Sequence, residues 1–261
     1  MIDLNLIKNF FPEQIRNNTL LGKSMVKEYM QLSILDYLSA TPYIRKLIFI
    51  GGTNLHLVKG IDRFSEDLDF DCKEMTKEEF MKMSDDVMHF LTRNGYTIES
   101  RDKNSTKLTA FRRNIYFPRF LFDLGISGHM DERFLIKIEA QDQGVRYSPE
   151  VKNIKGCGFY FPFPVPADAV LCAMKVTALL ERGKGRDFYD VMFLLALTKP
   201  DYNFLAKRVG IKNAAELKAE LKNRLKNTDL KIKANDFGHL LFNKENNKRI
   251  LRFEDFFEDT L

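Results

Sequence analysis

The sequence has no tryptophan, only three cysteines and no apolar run approaching the length of a membrane span. Each shortage removes a class of answers. Cys72, Cys157 and Cys172 are odd in number, at spacings that suit neither a zinc site nor a disulfide framework, so they read as reduced cytoplasmic thiols. The longest apolar runs, Leu47 to Ile50 and Val191 to Leu197, fall far short of the ~20 residues a spanning helix needs, which argues against the membrane. The opening Met1-Ile2-Asp3-Leu4-Asn5 carries neither the basic nor the apolar region of a secretory signal, and a cytoplasmic location is expected. Repeats and low-complexity tracts are missing too.

What is present is the composition of a globular protein, 44% hydrophobic and 30% charged, with phenylalanine used heavily at 23 residues. A chain of 261 residues is long enough for one large domain or two modest ones. The net charge of +5 leans toward a polyanionic partner. Its distribution says more. Between Lys207 and Lys233 nine Lys or Arg face three acids, whereas the tail after Arg252 carries Glu254, Asp255, Glu258 and Asp259. One side of the C-terminal region is therefore a candidate phosphate-binding surface.

Periodicity outlines an α+β protein. The first 45 residues read as helical, with Met25, Tyr29, Leu32 and Leu35 on one face and Thr41-Pro42 as the stop. Lys46 to Ile50 is a short strand that ends at Gly51-Gly52, and Asn54 to Lys59 a helix closed by Gly60. Arg63 to Cys72 alternates as a second strand. Met75 to Asn94 is a helix opened by a Thr76/Glu79 capping box. Further strands are expected at Thr97 to Glu99, Leu108 to Arg112, Phe117 to Leu124 and Phe134 to Ala140, with a turn at Gly125 to Gly128. Pro162, Pro164 and Pro166 make a stiff crossing that marks an internal boundary, after which Ala167 onward reads as helical. The expectation is a mixed β-sheet core with flanking helices over residues 1–160 and an all-helical region over 161–261.

The chemistry concentrates on Asp67-Leu68-Asp69. In a strand these two aspartates share a face, with Cα atoms about 7 Å apart, while Leu68 and Phe70 point to the other side. Like charges at that range raise each other's pKa unless a cation sits between them, and Mg²⁺ prefers one or two carboxylates completed by water and phosphate oxygens. Gly51-Gly52-Thr53, at a strand-to-helix turn, adds backbone N–H groups and a positive helix end for a triphosphate. The turn lacks the G-x-x-x-x-G-K-[ST] pattern of a P-loop. Asp67, Asp69 and Asp71 imitate an EF-hand loop, but Cys72 stands where that loop needs glycine. If two metals are held, a third carboxylate is expected nearby, with Glu139 preferred and Asp123 second.

Phe49-Ile50-Gly51-Gly52-Thr53-Asn54-Leu55 followed by Arg63-Phe64-Ser65-Glu66-Asp67-Leu68-Asp69-Phe70 resembles the first motif of the AbiEii/MenT family, nucleotidyltransferase toxins of bacterial toxin–antitoxin and abortive-infection systems. Lys175 and Arg182, then Lys184-Gly185-Arg186-Asp187-Phe188-Tyr189-Asp190, resemble the family further on. The resemblance implies a nucleotidyltransferase fold, a nucleoside triphosphate substrate and Mg²⁺ or Mn²⁺ on Asp67 and Asp69, to which the strand reading adds Glu139 as a third metal ligand. It implies that Arg63 and Ser65 help hold the triphosphate and that Lys175 and Asp187 are essential; Gly51, Gly52 and Thr53 join them through the turn's N–H groups, and Arg182 and Arg186 as side chains that can neutralise phosphate charge. Asp190 is a rival for Asp187 because the spacing from Lys175 is short. The implied acceptor is the 3′ end of tRNA, and the implied protein partner a cognate antitoxin. The alternatives are a transferase acting on a protein hydroxyl and an inactive nucleotide- or RNA-binding module.

Overall fold

A computed structural model of the chain describes residues 3–101 and 110–261. Met1-Ile2 and the Leu108-Thr109 start of one expected strand lie outside the described residues. The chain divides into two compact units. The first comprises the described residues of Met1–Val58, Phe64–Gln143 and Val151–Val165, the second Lys59–Arg63, Gly144–Glu150 and Pro166–Leu261.

The first unit opens with α1 (Leu4–Lys8), α2 (Glu13–Arg16) and the long α3 (Gly22–Ser39). Met25, Leu32 and Leu35 are fully buried on α3, which ends before Thr41-Pro42 because a residue preceding proline is driven out of the helical region. Then follow β1 (Leu47–Ile50), α4 (Gly51–Leu57), β2 (Asp67–Cys72) and α5 (Lys77–Arg93). The Thr76/Glu79 capping box is present, with each side chain accepting the other's backbone N–H. The remaining elements are β3 (Glu99–Ser100), β4 (Phe111–Tyr116), α6 (Phe120–Asp123), β5 (Leu135–Gln141), β6 (Glu150–Gly156) and β7 (Phe159–Val165).

Among the described residues five strands form a mixed sheet in the order β1-β2-β5-β4-β3, in which only β2 and β5 run parallel. Alternation gives the sheet two characters. Leu68, Phe70, Ile136, Ile138 and Ala140 are buried on one face, while Asp67, Asp69, Lys137 and Glu139 stand half-buried on the other. Phe163 of β7 packs on the apolar face, its ring 6.0 Å from that of Phe49 and 5.9 Å from that of Phe70. Each such buried side chain contributes roughly 1.5–3 kcal/mol, so the polar face is held in register by the apolar one.

Several segments differ from the sequence expectation: β2 begins at Asp67 rather than Arg63, β4 runs on to Tyr116 instead of ending at Arg112, and β6 has no expected counterpart. Phe117 to Leu124 is not a strand. Pro118 has no N–H for a ladder, Arg119 turns left-handed at φ 57°, and Phe120 starts the single turn of α6, its ring 5.1 Å from that of Phe134. A short apolar run does not reveal its period, which is why the two states were indistinguishable. The proline stretch, conversely, is partly β-structure. Pro162 and Pro164 lie on β7 of a two-stranded sheet with β6, alternating with buried Phe161, Phe163 and Val165. Proline is tolerated there because a strand of so small a sheet has an edge that needs no N–H.

The second unit carries α7 (Asp168–Glu181), α8 (Gly185–Leu195), α9 (Tyr202–Val209), α10 (Ala214–Lys226), α11 (Leu230–Asn235) and α12 (Phe253–Thr260). Gly185 has no room for a side chain, since a Cβ would fall 1.8 Å from the Lys233 carbonyl oxygen on α11. The three cysteines are free and buried, and burial pushes their thiols up, Cys72 to about 11 and Cys157 and Cys172 to about 12. No helix among the described residues is long and apolar enough to cross a membrane.

Candidate active site

The glycine turn and the acidic strand meet in the first unit. β1 pairs antiparallel with β2 so that Ile50 lies opposite Asp69, and the next residue, Gly51, enters α4 at φ +82°. A Cβ at Gly51 would lie 2.2 Å from Asp69 Oδ2 and 2.7 Å from its Cβ. Only glycine satisfies both the left-handed backbone and that approach. The turn is tied down further on. Thr53, fully buried, donates its hydroxyl to the Asp67 carbonyl at 2.5 Å, and Asn54 donates to the Phe49 carbonyl at 2.7 Å. The Thr53 hydroxyl is thus engaged with backbone.

Neighbouring strands complete the face. Register places Lys137 beside Asp67 and Glu139 beside Asp69 on β5, with Arg112 beside Glu139 on β4. Lys137 Nζ lies 2.9 Å from Asp67 and 3.3 Å from Glu139, and Arg112 pairs with Glu139. Burial opposes charge on Lys137, but Asp67, Glu139 and Asp69 outweigh it and hold its ammonium above the ordinary lysine value. A second lysine, Lys27 of α3, is buried 3.6 Å from Glu66, and desolvation lowers its pKa against the pull of Glu66 and Asp67. Gln31, one turn further along α3, donates to the Ser65 carbonyl at 3.2 Å, and Glu28 pairs with His56 of α4 at 2.7 Å. The polar side of α3 thereby holds both α4 and the Ser65-Glu66 lead-in to the acidic strand.

The donor chemistry of this face suits a hard divalent cation: two carboxylates on one strand, with the third carboxylate of the neighbouring strand drawn off by Arg112 and Lys137. Among the described residues no group of three or more His, Cys, Asp or Glu is arranged to enclose a metal. Asp123, the second choice for a third carboxylate, sits on α6 and pairs at 3.5 Å with the exposed Arg119.

The second unit contains the other candidates. Asp190 on α8 is fully buried and accepts from Arg63 Nε at 2.8 Å, Arg63 Nη2 at 2.7 Å and Lys175 Nζ at 2.9 Å. Burial would raise the Asp190 pKa, but Arg63 and Lys175 outweigh it and hold the carboxyl below the usual range. Burial lowers the Lys175 pKa in spite of Asp190. Asp187, also buried, takes a different partner. It accepts from Arg182 at 2.9 and 2.7 Å and from the Lys184 backbone N–H at 2.9 Å, which caps α8. Arg186 is half-buried on the first turn of α8.

The basic segment is less uniform than its composition. Lys218 and Lys222 both pair with Glu258 of the acidic tail, at 3.5 and 2.7 Å, while Lys207, Lys212, Lys226 and Lys231 are exposed. Lys27 and Arg112 went unnoticed in the sequence. For Arg112 a signal exists, since it occupies a strand position; for Lys27 the only hint is a cluster of polar residues interrupting an apolar helix.

No curated protein matches the chain. Solved structures that share its fold include JHP933 from Helicobacter pylori, at 19% identity and TM-score 0.54 over 91% of each chain, and MenT4, a nucleotidyltransferase toxin from Mycobacterium tuberculosis H37Rv, at 16% identity and TM-score 0.61 over 99% of this chain and 90% of that one. The model of the family described as nucleotidyl transferase AbiEii toxin, type IV toxin–antitoxin system, matches residues 33–260. Because that match takes in the glycine turn, the acidic strand and nearly all of the helical unit, the chain belongs to the AbiEii nucleotidyltransferase toxin family and is itself a nucleotidyltransferase.

Proposed function

We propose that the acidic face of the first unit transfers the nucleotidyl group of a nucleoside triphosphate to the 3′ end of tRNA, in the cytoplasm, and that this modification blocks translation and growth. The observation that carries the reading is the seating of Gly51 on Asp69: a backbone rich in N–H donors is brought against a metal-binding carboxylate with no side chain between. In this reading Gly51, Gly52 and Thr53 offer backbone N–H groups to the phosphates, and Asp67 and Asp69 hold Mg²⁺ or Mn²⁺. When bound, such an ion lowers the pKa of an attacking hydroxyl and neutralises charge on the leaving pyrophosphate. The sheet face supplies the orientation, because its register fixes both aspartates relative to the turn. The family resemblance adds Lys175 and Asp187 as essential residues and Ser65 and Arg63 as phosphate-binding ones, and guanidinium chemistry adds Arg182 and Arg186; each enters the proposal as a residue whose loss reduces transfer.

The exposed lysines Lys207, Lys212, Lys226 and Lys231 support a polyanionic acceptor, since nucleic-acid affinity is dominated by contacts to the phosphate backbone. Membership of a toxin–antitoxin family also implies a cognate antitoxin. The test is incubation of the protein with each of the four labelled nucleoside triphosphates, Mg²⁺ or Mn²⁺, and either purified tRNA or protein extract. Label on tRNA that disappears with chelator and with Asp67→Ala is expected. Label confined to protein would replace the acceptor, and no label with any nucleotide would overturn the reading.

A further inference from the structure

The cation already resident on the acidic face has no part in the mechanism so far. Lys137 reaches from β5 to Asp67 at 2.9 Å and is braced by Glu139 at 3.3 Å, whose other oxygen is held by Arg112 of β4. Cross-strand register sets this Arg112–Glu139–Lys137–Asp67 chain, so it is built into the sheet. Lys137 and Arg112 thus offset the carboxylates of Asp67 and Glu139 on this face. Lys27 and Glu66 balance one another next to it. A free divalent ion on Asp67 and Asp69 would have to displace or adjoin the Lys137 ammonium group, which is already in contact with Asp67, against like-charge repulsion. A divalent ion that arrives on a triphosphate brings its own compensating anion.

We infer that Lys137 is a positioning residue that holds Asp67 against premature metal binding, so that divalent cation and nucleoside triphosphate load together. The inference rests on the proposed role of Asp67 and Asp69 as metal ligands. Methionine keeps the unbranched apolar stem of lysine and removes only the charge, and arginine keeps the charge.

The test is equilibrium binding of Mn²⁺, followed by the paramagnetic resonance of the free ion, with and without a non-hydrolysable nucleoside triphosphate analogue. Without nucleotide the wild type is expected to bind Mn²⁺ weakly, Lys137→Met at least about tenfold more tightly because a like charge has left the site, and Lys137→Arg as weakly as wild type. Added analogue should tighten Mn²⁺ binding strongly in the wild type and much less in Lys137→Met, since the coupling between two ligands is reciprocal. Thermal unfolding gives a second readout: Mn²⁺ alone should raise the Tm of Lys137→Met and leave that of the wild type nearly unchanged. Equal Mn²⁺ affinity in wild type and Lys137→Met, with binding still abolished by Asp69→Asn, would overturn this inference alone. Mn²⁺ binding indifferent to Asp69→Asn with and without the analogue would overturn the underlying metal assignment instead.

Discussion

Replacing Asp190 by asparagine tests what holds the second unit together. Asparagine keeps the shape and one acceptor oxygen but removes the charge that faces Arg63 and Lys175, which are 0% and 6% exposed. At an effective dielectric of about 20, a separation of 2.8 Å corresponds to about 6 kcal/mol of attraction, most of it offset by the cost of desolvating the ions. What the variant leaves behind decides the net loss. Two buried cations without an anion cost about 3–5 kcal/mol, and the lower end is expected because Lys175, whose pKa burial already lowers, can shed its proton. Urea unfolding followed by far-ultraviolet circular dichroism measures this without a tryptophan signal, and the midpoint should fall with little change in slope. Exchange of all three groups for Leu at 190 and Met at 63 and 175 should recover most of the loss. The sign with pH is fixed. The folded pKa of Asp190 is depressed below the ordinary 3.8, so its contribution is fully present above that value and is lost as pH falls through the folded pKa. The wild-type advantage over Asp190→Asn should therefore shrink in acid. A loss below about 1 kcal/mol at neutral pH, or an advantage that grows in acid, would refute the ion-cluster account.

Other outcomes follow from the same geometry. Gly51→Ala must adopt φ +82° and push against Asp69, costing roughly 1–2 kcal/mol from the backbone alone and displacing the carboxylate; a lower Tm with loss of transfer by two orders of magnitude or more is expected in a labelled-nucleotide assay. Thr53→Val removes the hydroxyl that ties the turn to the part-buried Asp67 carbonyl and should lower stability by about 0.5–1.5 kcal/mol in the same urea experiment. Alanine at Lys212 and Lys226 together should weaken tRNA binding across sequences and flatten the slope of log affinity against log salt by about two, whereas alanine at Lys222, which pairs with Glu258, should change it less. The three buried thiols should resist a thiol-specific reagent until the protein is unfolded.

Much of the site was legible because strand periodicity is simple. Alternation at Asp67 to Phe70 assigns the aspartates to one face, as the register with β5 bears out. The glycine turn was legible as a turn, but the contact between Gly51 and Asp69 was not, because it depends on the pairing of Ile50 with Asp69 across two strands. Lys27 was hidden for another reason: α3 buries residues on most of its circumference, so a charged position on it has no distinctive period. β6 and β7 were missed because exposed Lys152, Asn153 and Lys155 mask one strand and prolines interrupt the other. Composition also overstated the basic surface, since the acidic tail that neutralises Lys218 and Lys222 lies far along the chain.

The most direct test of the central claim is which phosphate moves. With a nucleoside triphosphate labelled at the α position, tRNA incubated with the wild-type protein and a divalent cation should become labelled, while the γ-labelled nucleotide should leave it unlabelled and release labelled pyrophosphate; Asp69→Asn should do neither. Label from the γ position on any acceptor, or equal α-labelling by Asp69→Asn, would contradict nucleotidyl transfer at the acidic strand.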